Sequence, residues 1–259
     1  MRWSKIKNII ILLLVIVNLS LLAQVGLREW RSRRSELETR ERMVAVLERN
    51  GISYLPQEIP GALDLSGVRV TLSDFGREEA ARLVGELTGV EAVGSRTVYT
   101  GAEGVVSSSA GGELTVEFSL AAESVILERL SGLGVSLQRL EQTERAVTYI
   151  QLLDGVPIPG EPAVLTRENG GCTLTLRRLA GTREDMPGEE TLTASTALAR
   201  FLDELNRGEG YVCSQVIDVY SGYTAGGTTT VTLTPAWFVE TDTWLFIVDG
   251  YTGNITARE

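Results

Sequence analysis

Histidine is absent from all 259 residues, and lysine occurs only at Lys5 and Lys7. Without imidazole, Ser-His-Asp and Cys-His catalysis, histidine-built zinc sites and histidine switching near neutral pH all lose their central group. Beyond residue 27 no lysine remains for a Schiff base or a Ser-Lys dyad. Cysteine is confined to Cys172 and Cys213, whose strand-like settings suit either one disulfide or two buried thiols. Positive charge is scarce as well: 24 basic residues stand against 34 acidic ones, a net charge of −10. The first 27 residues hold three of the 24 and none of the 34, which leaves 21 against 34 for the remainder. So acidic a surface does not neutralise phosphates, and nucleic acid is not an expected partner.

What is present begins with Asn8 to Val25, a run without a charged residue. About 18 positions at ~1.5 Å of rise approach the ~30 Å of a bilayer's hydrocarbon core. The segment reads as an uncleaved anchor over residues 8–27. It is longer than a signal-peptide core, and Leu21, two before Ala23, spoils a small-x-small exit. Arg2, Lys5 and Lys7 in the tail 1–7 place the N-terminus in the cytoplasm and the bulk of the chain outside a cell membrane crossed once; Arg28, Arg31, Arg33 and Arg34 at the far end oppose that orientation. Asn18 is a costly amide in hydrocarbon, best relieved against another helix, and Ile11, Leu14, Leu22 and Val25 share its face. These five residues form the candidate partner-binding face.

Beyond the anchor, residues 28–50 carry Leu37, Val44 and Leu47 on one stripe, a juxtamembrane helix. Residues 51–140 and 141–259 read as two domains. In the first, Val68, Val70 and Leu72 alternate as a strand. A helix over 75–88 follows, N-capped by Ser73 or Asp74, and then strands near 92–100, 104–108 and 113–120, with a helical piece over 123–133. The second repeats the order, with a helix over 191–206 before strands at 211–220, 228–240 and 244–249. VPIPGEP, from Val156 to Pro162, is too rich in proline for a central strand. The expected fold class is α+β, one transmembrane helix followed by two tandem modules, each a helix packed on an antiparallel sheet.

Few residues suggest chemistry. Ser4-Lys5-Ile6-Lys7 matches S-x-x-K in a tail with no pocket, and Asn254-Ile255-Thr256 and Asn18-Leu19-Ser20 match glycosylation acceptors by chance-level spacing. Glu78-Glu79 and Glu189-Glu190 pair carboxylates at helix starts, where negative charge suits the dipole. Trp237, Phe238, Trp244, Phe246 and Tyr251 form an aromatic set read mainly as core. No catalytic, metal or cofactor residue is singled out, and the expectation is a protein that is not an enzyme.

The opening MRWSKIKNIIILLLVIVNLSLLAQ resembles the start of the YycI proteins, with a short M-x-W-x-K-x-K tail and a single anchor carrying an asparagine. TLTPAWFVET and FIVDGYTGNI resemble the closing strands of the YycH/YycI group and of PepSY-like domains. The resemblance implies an extracytoplasmic regulator of a sensor histidine kinase, WalK (YycG), in a two-component system controlling cell-wall metabolism, acting with a YycH-like companion largely through transmembrane helices. The C-terminal resemblance alone would fit an anchored PepSY-like module that inhibits a secreted peptidase or recognises wall material.

Overall fold

A computed structural model describes residues 39–119, 122–168, 170–188, 190–207 and 210–258. Helix α1 covers residues 39–49. It is followed by β1 (Ser53–Tyr54), β2 (Val68–Leu72), α2 (Arg77–Val84), β3 (Leu87–Val93), β4 (Arg96–Gly101), β5 (Gly104–Ser109), β6 (Glu113–Phe118) and α3 (Glu123–Ser131). Then come β7 (Ser136–Gln142), β8 (Ala146–Leu153), β9 (Val156–Glu168), β10 (Gly171–Arg177), β11 (Gly181–Asp185), α4 (Ala194–Asn206), β12 (Gln215–Gly226), β13 (Thr230–Thr241), β14 (Leu245–Asp249) and β15 (Ile255–Arg258).

The expected fold class is corrected. Strand makes up 49% of the structure and helix 19%. Its two sheets do not follow the two halves of the chain. The eight-stranded sheet runs β3-β4-β5-β6-β10-β9-β8-β7, so its second half comes from beyond residue 135. The seven-stranded sheet runs β1-β12-β13-β14-β15, with β2 pairing both β13 and β11, so its first strands come from before residue 73. Among the described residues no helix is long and apolar enough to cross a membrane. The candidate span 8–27 lies outside the described residues, and with it Ile11, Leu14, Asn18, Leu22 and Val25.

Each sheet buries one face under helices. On the eight-stranded sheet, Ala80, Leu83 and Val84 of α2 and Ile126 and Leu130 of α3 meet a row of inward strand residues that includes Val106, Val116, Leu174, Leu165 and Val147. On the other, Met43 and Leu47 of α1 join Ala194, Leu198 and Phe201 of α4 over Trp237, Val239 and Phe246. Helix α4 shows why the sequence forms it there. Thr193 caps it by accepting from the Thr196 amide at 3.3 Å, and its buried residues recur at three- and four-residue spacing. Phe201 is fully buried, worth ~1.5–3 kcal/mol in removed apolar surface.

Two prolines mark how the sheets are shaped. Pro235 lies in the middle of β13, where a ring without an N–H usually breaks pairing. It sits where one edge of β13 changes partner, from β2 at Thr230–Leu233 to β14 at Ala236–Glu240. The Pro-rich segment beginning at Val156 does form the central strand β9, against expectation. β10 pairs only with its later part, from Val164 on, so the proline-bearing part has β8 as its one ladder neighbour. Even there the register jumps from Ile150↔Pro162 to Gln151↔Ile158, leaving Pro159, Gly160 and Glu161 in a bulge. The amide of Gln151 holds that bulge by donating to the Glu161 carbonyl at 2.9 Å and the Arg177 carbonyl at 2.8 Å.

Candidate functional site

Between the β9 bulge and the seven-stranded sheet lies a cleft of about 320 Å³. One wall is Leu140, Ile150 and Pro159; the other is Tyr220 of β12, Glu240 and the turn from Thr241 to Trp244, ending at Leu245. Tyr220 stacks on the buried Phe238, with centroids 5.3 Å apart and planes 8° apart. Trp244 meets Tyr211 edge-on at 5.4 Å, Tyr211 meets Phe246 at 5.4 Å, and Phe246 meets Phe201 of α4 at 4.8 Å. A line of rings thus ties the rim of the cleft to the core. Across from them Leu140 is 61% exposed, a large apolar side chain left facing water.

The turn is fixed by its own hydroxyls. Thr241 Oγ1 donates to the Trp244 carbonyl at 2.7 Å and accepts from its amide at 2.9 Å. Thr243 Oγ1 reaches the Val212 carbonyl at 2.7 Å. Asp242 accepts from the Ser214 amide at 3.0 Å and from its hydroxyl, and those bonds, the hydroxyl's foremost, hold the carboxyl below its usual range. Trp244 is therefore presented by a braced turn.

Charge at the rim is one-sided. Asp218 and Glu240 are direct partners across β12 and β13, and both are exposed. Among the described residues no arginine pairs with either of them or with Asp242. Burial, then Glu240 and Asp218, push the Tyr220 hydroxyl up to about 12, so it remains a neutral donor. The cleft offers apolar area, ring faces, hydroxyls and negative charge.

Residues singled out by sequence scatter elsewhere. Cys172 joins the core of the eight-stranded sheet and Cys213 that of the other, both as free thiols. Burial raises both, the Cys213 thiol to about 11 with Asp242 adding. Trp237, Phe238 and Phe246 are core, and the Trp237 indole donates to the Leu192 carbonyl at 2.8 Å. Glu79 pairs with the buried Arg178, while Glu189 and the Ser4–Lys7 motif lie outside the described residues. Trp244 is the one aromatic of the set that reaches the cleft. Leu140 and Tyr220 were not singled out. The available signal was the hairpin register, countable back from the Gly226-Gly227 turn, which sets Asp218 against Glu240 and Tyr220 against Phe238.

No family model matches the chain, and no curated protein matches it. Among solved structures it is similar to the crystal structure of an uncharacterized protein from Eubacterium rectale, at 11% identity. That match covers 75% of this chain and 86% of that one, with a TM-score of 0.47. A likeness of that size carries no functional argument. The expected transmembrane helix is not found among the described residues, and no comparison supports YycI membership, a two-component system or a cell-wall role.

Proposed function

We propose that this chain is a non-enzymatic protein that acts by binding a segment of another protein in the cleft between its two sheets. The observation that carries this reading is the facing of exposed Leu140 by half-buried Tyr220 and Trp244, rings braced by the core behind them. Aromatic anchors of this kind, held rigid in a partly apolar recess, dominate protein recognition energetics. The resemblance of the two chain ends points to a sensor histidine kinase and a YycH-like companion as the partners, and the cleft would add an extracytoplasmic contact to the one expected through transmembrane helices. Regulation would then follow from unequal affinity for the signalling states of that partner.

The test is direct binding of the full chain to those two proteins from the same genome, measured by interferometry with wild type and Trp244→Ala. Trp244→Ala weakens binding by about tenfold or more, as expected of an aromatic anchor worth upward of ~1.4 kcal/mol. Equal affinity of the two chains would exclude the cleft. Binding to a secreted peptidase in place of both proteins would move the reading to the inhibitor class.

A further inference from the structure

We infer that the segment held in this cleft presents a cationic side chain, arginine or lysine, close to an apolar one, the cation resting between Asp218 and Glu240 and the apolar group between Leu140 and Trp244. This rests on the cleft being the binding site, and it adds the chemistry of the occupant. Three features of the rim support it.

Asp218 and Glu240 stand directly opposite each other in an antiparallel pair. Side chains in such pairs approach to ~4.5–5.5 Å at Cβ, and like charges there are destabilising. A fold that keeps two carboxylates opposed, with the Val219 amide donating to Asp218 at 2.8 Å but no arginine paired to either among the described residues, leaves a repulsion that a bound cation would relieve.

The basic group nearest in the register lies outside the lining. Arg258 lies in the same cross-strand row, beyond Leu245 and two strands from Glu240, and its guanidinium lies against Gly160 of the β9 bulge. The lining itself contains acids at Glu240 and Asp242 and no basic residue.

Apart from Thr241 and Thr243, the remaining lining is apolar or aromatic, so a cation entering here brings its aliphatic stem and its neighbours against Tyr220, Pro159 and Leu140. An arginine has the further option of lying over an exposed ring face. An acidic segment would meet carboxylates on entry and is excluded by the same geometry.

The experiment uses the full chain and three sets of short peptides that share one pattern of leucine and proline and carry arginine, glutamine or glutamate at the same two positions. Affinity is read by fluorescence polarisation. The arginine set should bind about tenfold more tightly than the glutamine set, and the glutamate set most weakly. Added salt should narrow the gap. The double variant Asp218→Asn/Glu240→Gln should erase the arginine preference while keeping an unchanged or higher melting temperature, and Leu140→Ala should weaken the arginine and glutamine sets alike. Equal affinities for the arginine and glutamine sets, or a preference that survives the double variant, overturns the inference but leaves the cleft as a binding site. Failure of every set to bind, or indifference of bound peptides to Leu140→Ala and Trp244→Ala, removes the cleft itself and the inference with it.

Discussion

On the eight-stranded sheet Glu123 is held by three donors, whereas on the seven-stranded sheet Asp218 and Glu240 oppose each other with no ion-pair partner among the described residues. The Tyr149 hydroxyl and Arg167 each reach Glu123 at 2.6 Å, and Arg139 is its third partner. Nearby, Arg129 joins Glu103 at 2.6 Å and donates to the Leu83 carbonyl, which locks α3 to α2. Arg178, its side chain 7% exposed, is met by Glu79, which also accepts from the Gly76 amide at the start of α2. Charges on that sheet are used to hold helices in place. At the β12–β13 corner Asp218 accepts from the neighbouring Val219 amide at 2.8 Å, and neither it nor Glu240 pairs with an arginine among the described residues; on the proposed reading, these opposed charges beside an apolar recess are left for a bound partner.

Three substitutions sharpen that contrast. The largest effect belongs to Glu79→Gln, which strands the buried Arg178 guanidinium without a counter-charge. Urea unfolding should show a loss of about 2–4 kcal/mol. An unchanged midpoint would mean that the buried pair is not structural.

Next is Glu123→Gln, with a loss of about 1 kcal/mol near neutral pH. The hydrogen bond from Tyr149, aided by Arg139 and Arg167 and opposed by burial, holds the Glu123 carboxyl below its ordinary range. A depressed carboxyl stabilises the fold above its unfolded value, and that contribution is lost as pH falls through the folded one. The gap between wild type and variant should therefore be full near neutral pH and shrink as acid carries the pH down through the depressed folded value. A gap that persists in acid would assign the loss to packing.

The smallest effect has the opposite sign. Glu240→Gln relieves the opposed pair and should raise stability by a few tenths of a kcal/mol, about 1 °C in melting temperature. A clear drop in melting temperature would mean that Glu240 has a structural partner, and the comparison between the two sheets would fail.

Many of the local elements were legible in the sequence although the fold class was not, and the particular residues show why. Strand β2 follows the alternation of Val68, Val70 and Leu72, and α4 follows the spacing of Ala194, Leu198, Phe201 and Leu202. Helix α2 came out shorter than expected, Arg77–Val84, with Gly76 rather than Ser73 or Asp74 at its cap, because Leu87 already begins β3. Strand β9 was misread because proline was judged within its own segment. Its tolerance depends on Gln151 and on β10 stopping at Val164. Strands β1, β7, β11 and β15 are short or exposed and carry little periodicity of their own. Of the cleft, only Trp244 stands out in the sequence. Its walls come from residues 140–159 and 220–245, which no local pattern brings together.

The amino-acid sequence by itself determined the local elements, the acidic balance and the lack of imidazole, since periodicity and composition act within a few residues of each position. Tertiary structure alone decided that β1 and β2 complete the C-terminal sheet, that a proline-rich run becomes a central strand, and that Leu140 faces Tyr220 and Trp244 across a cleft. Those outcomes depend on strand pairing between distant segments, where register and the burial of shared faces settle what neighbouring residues cannot.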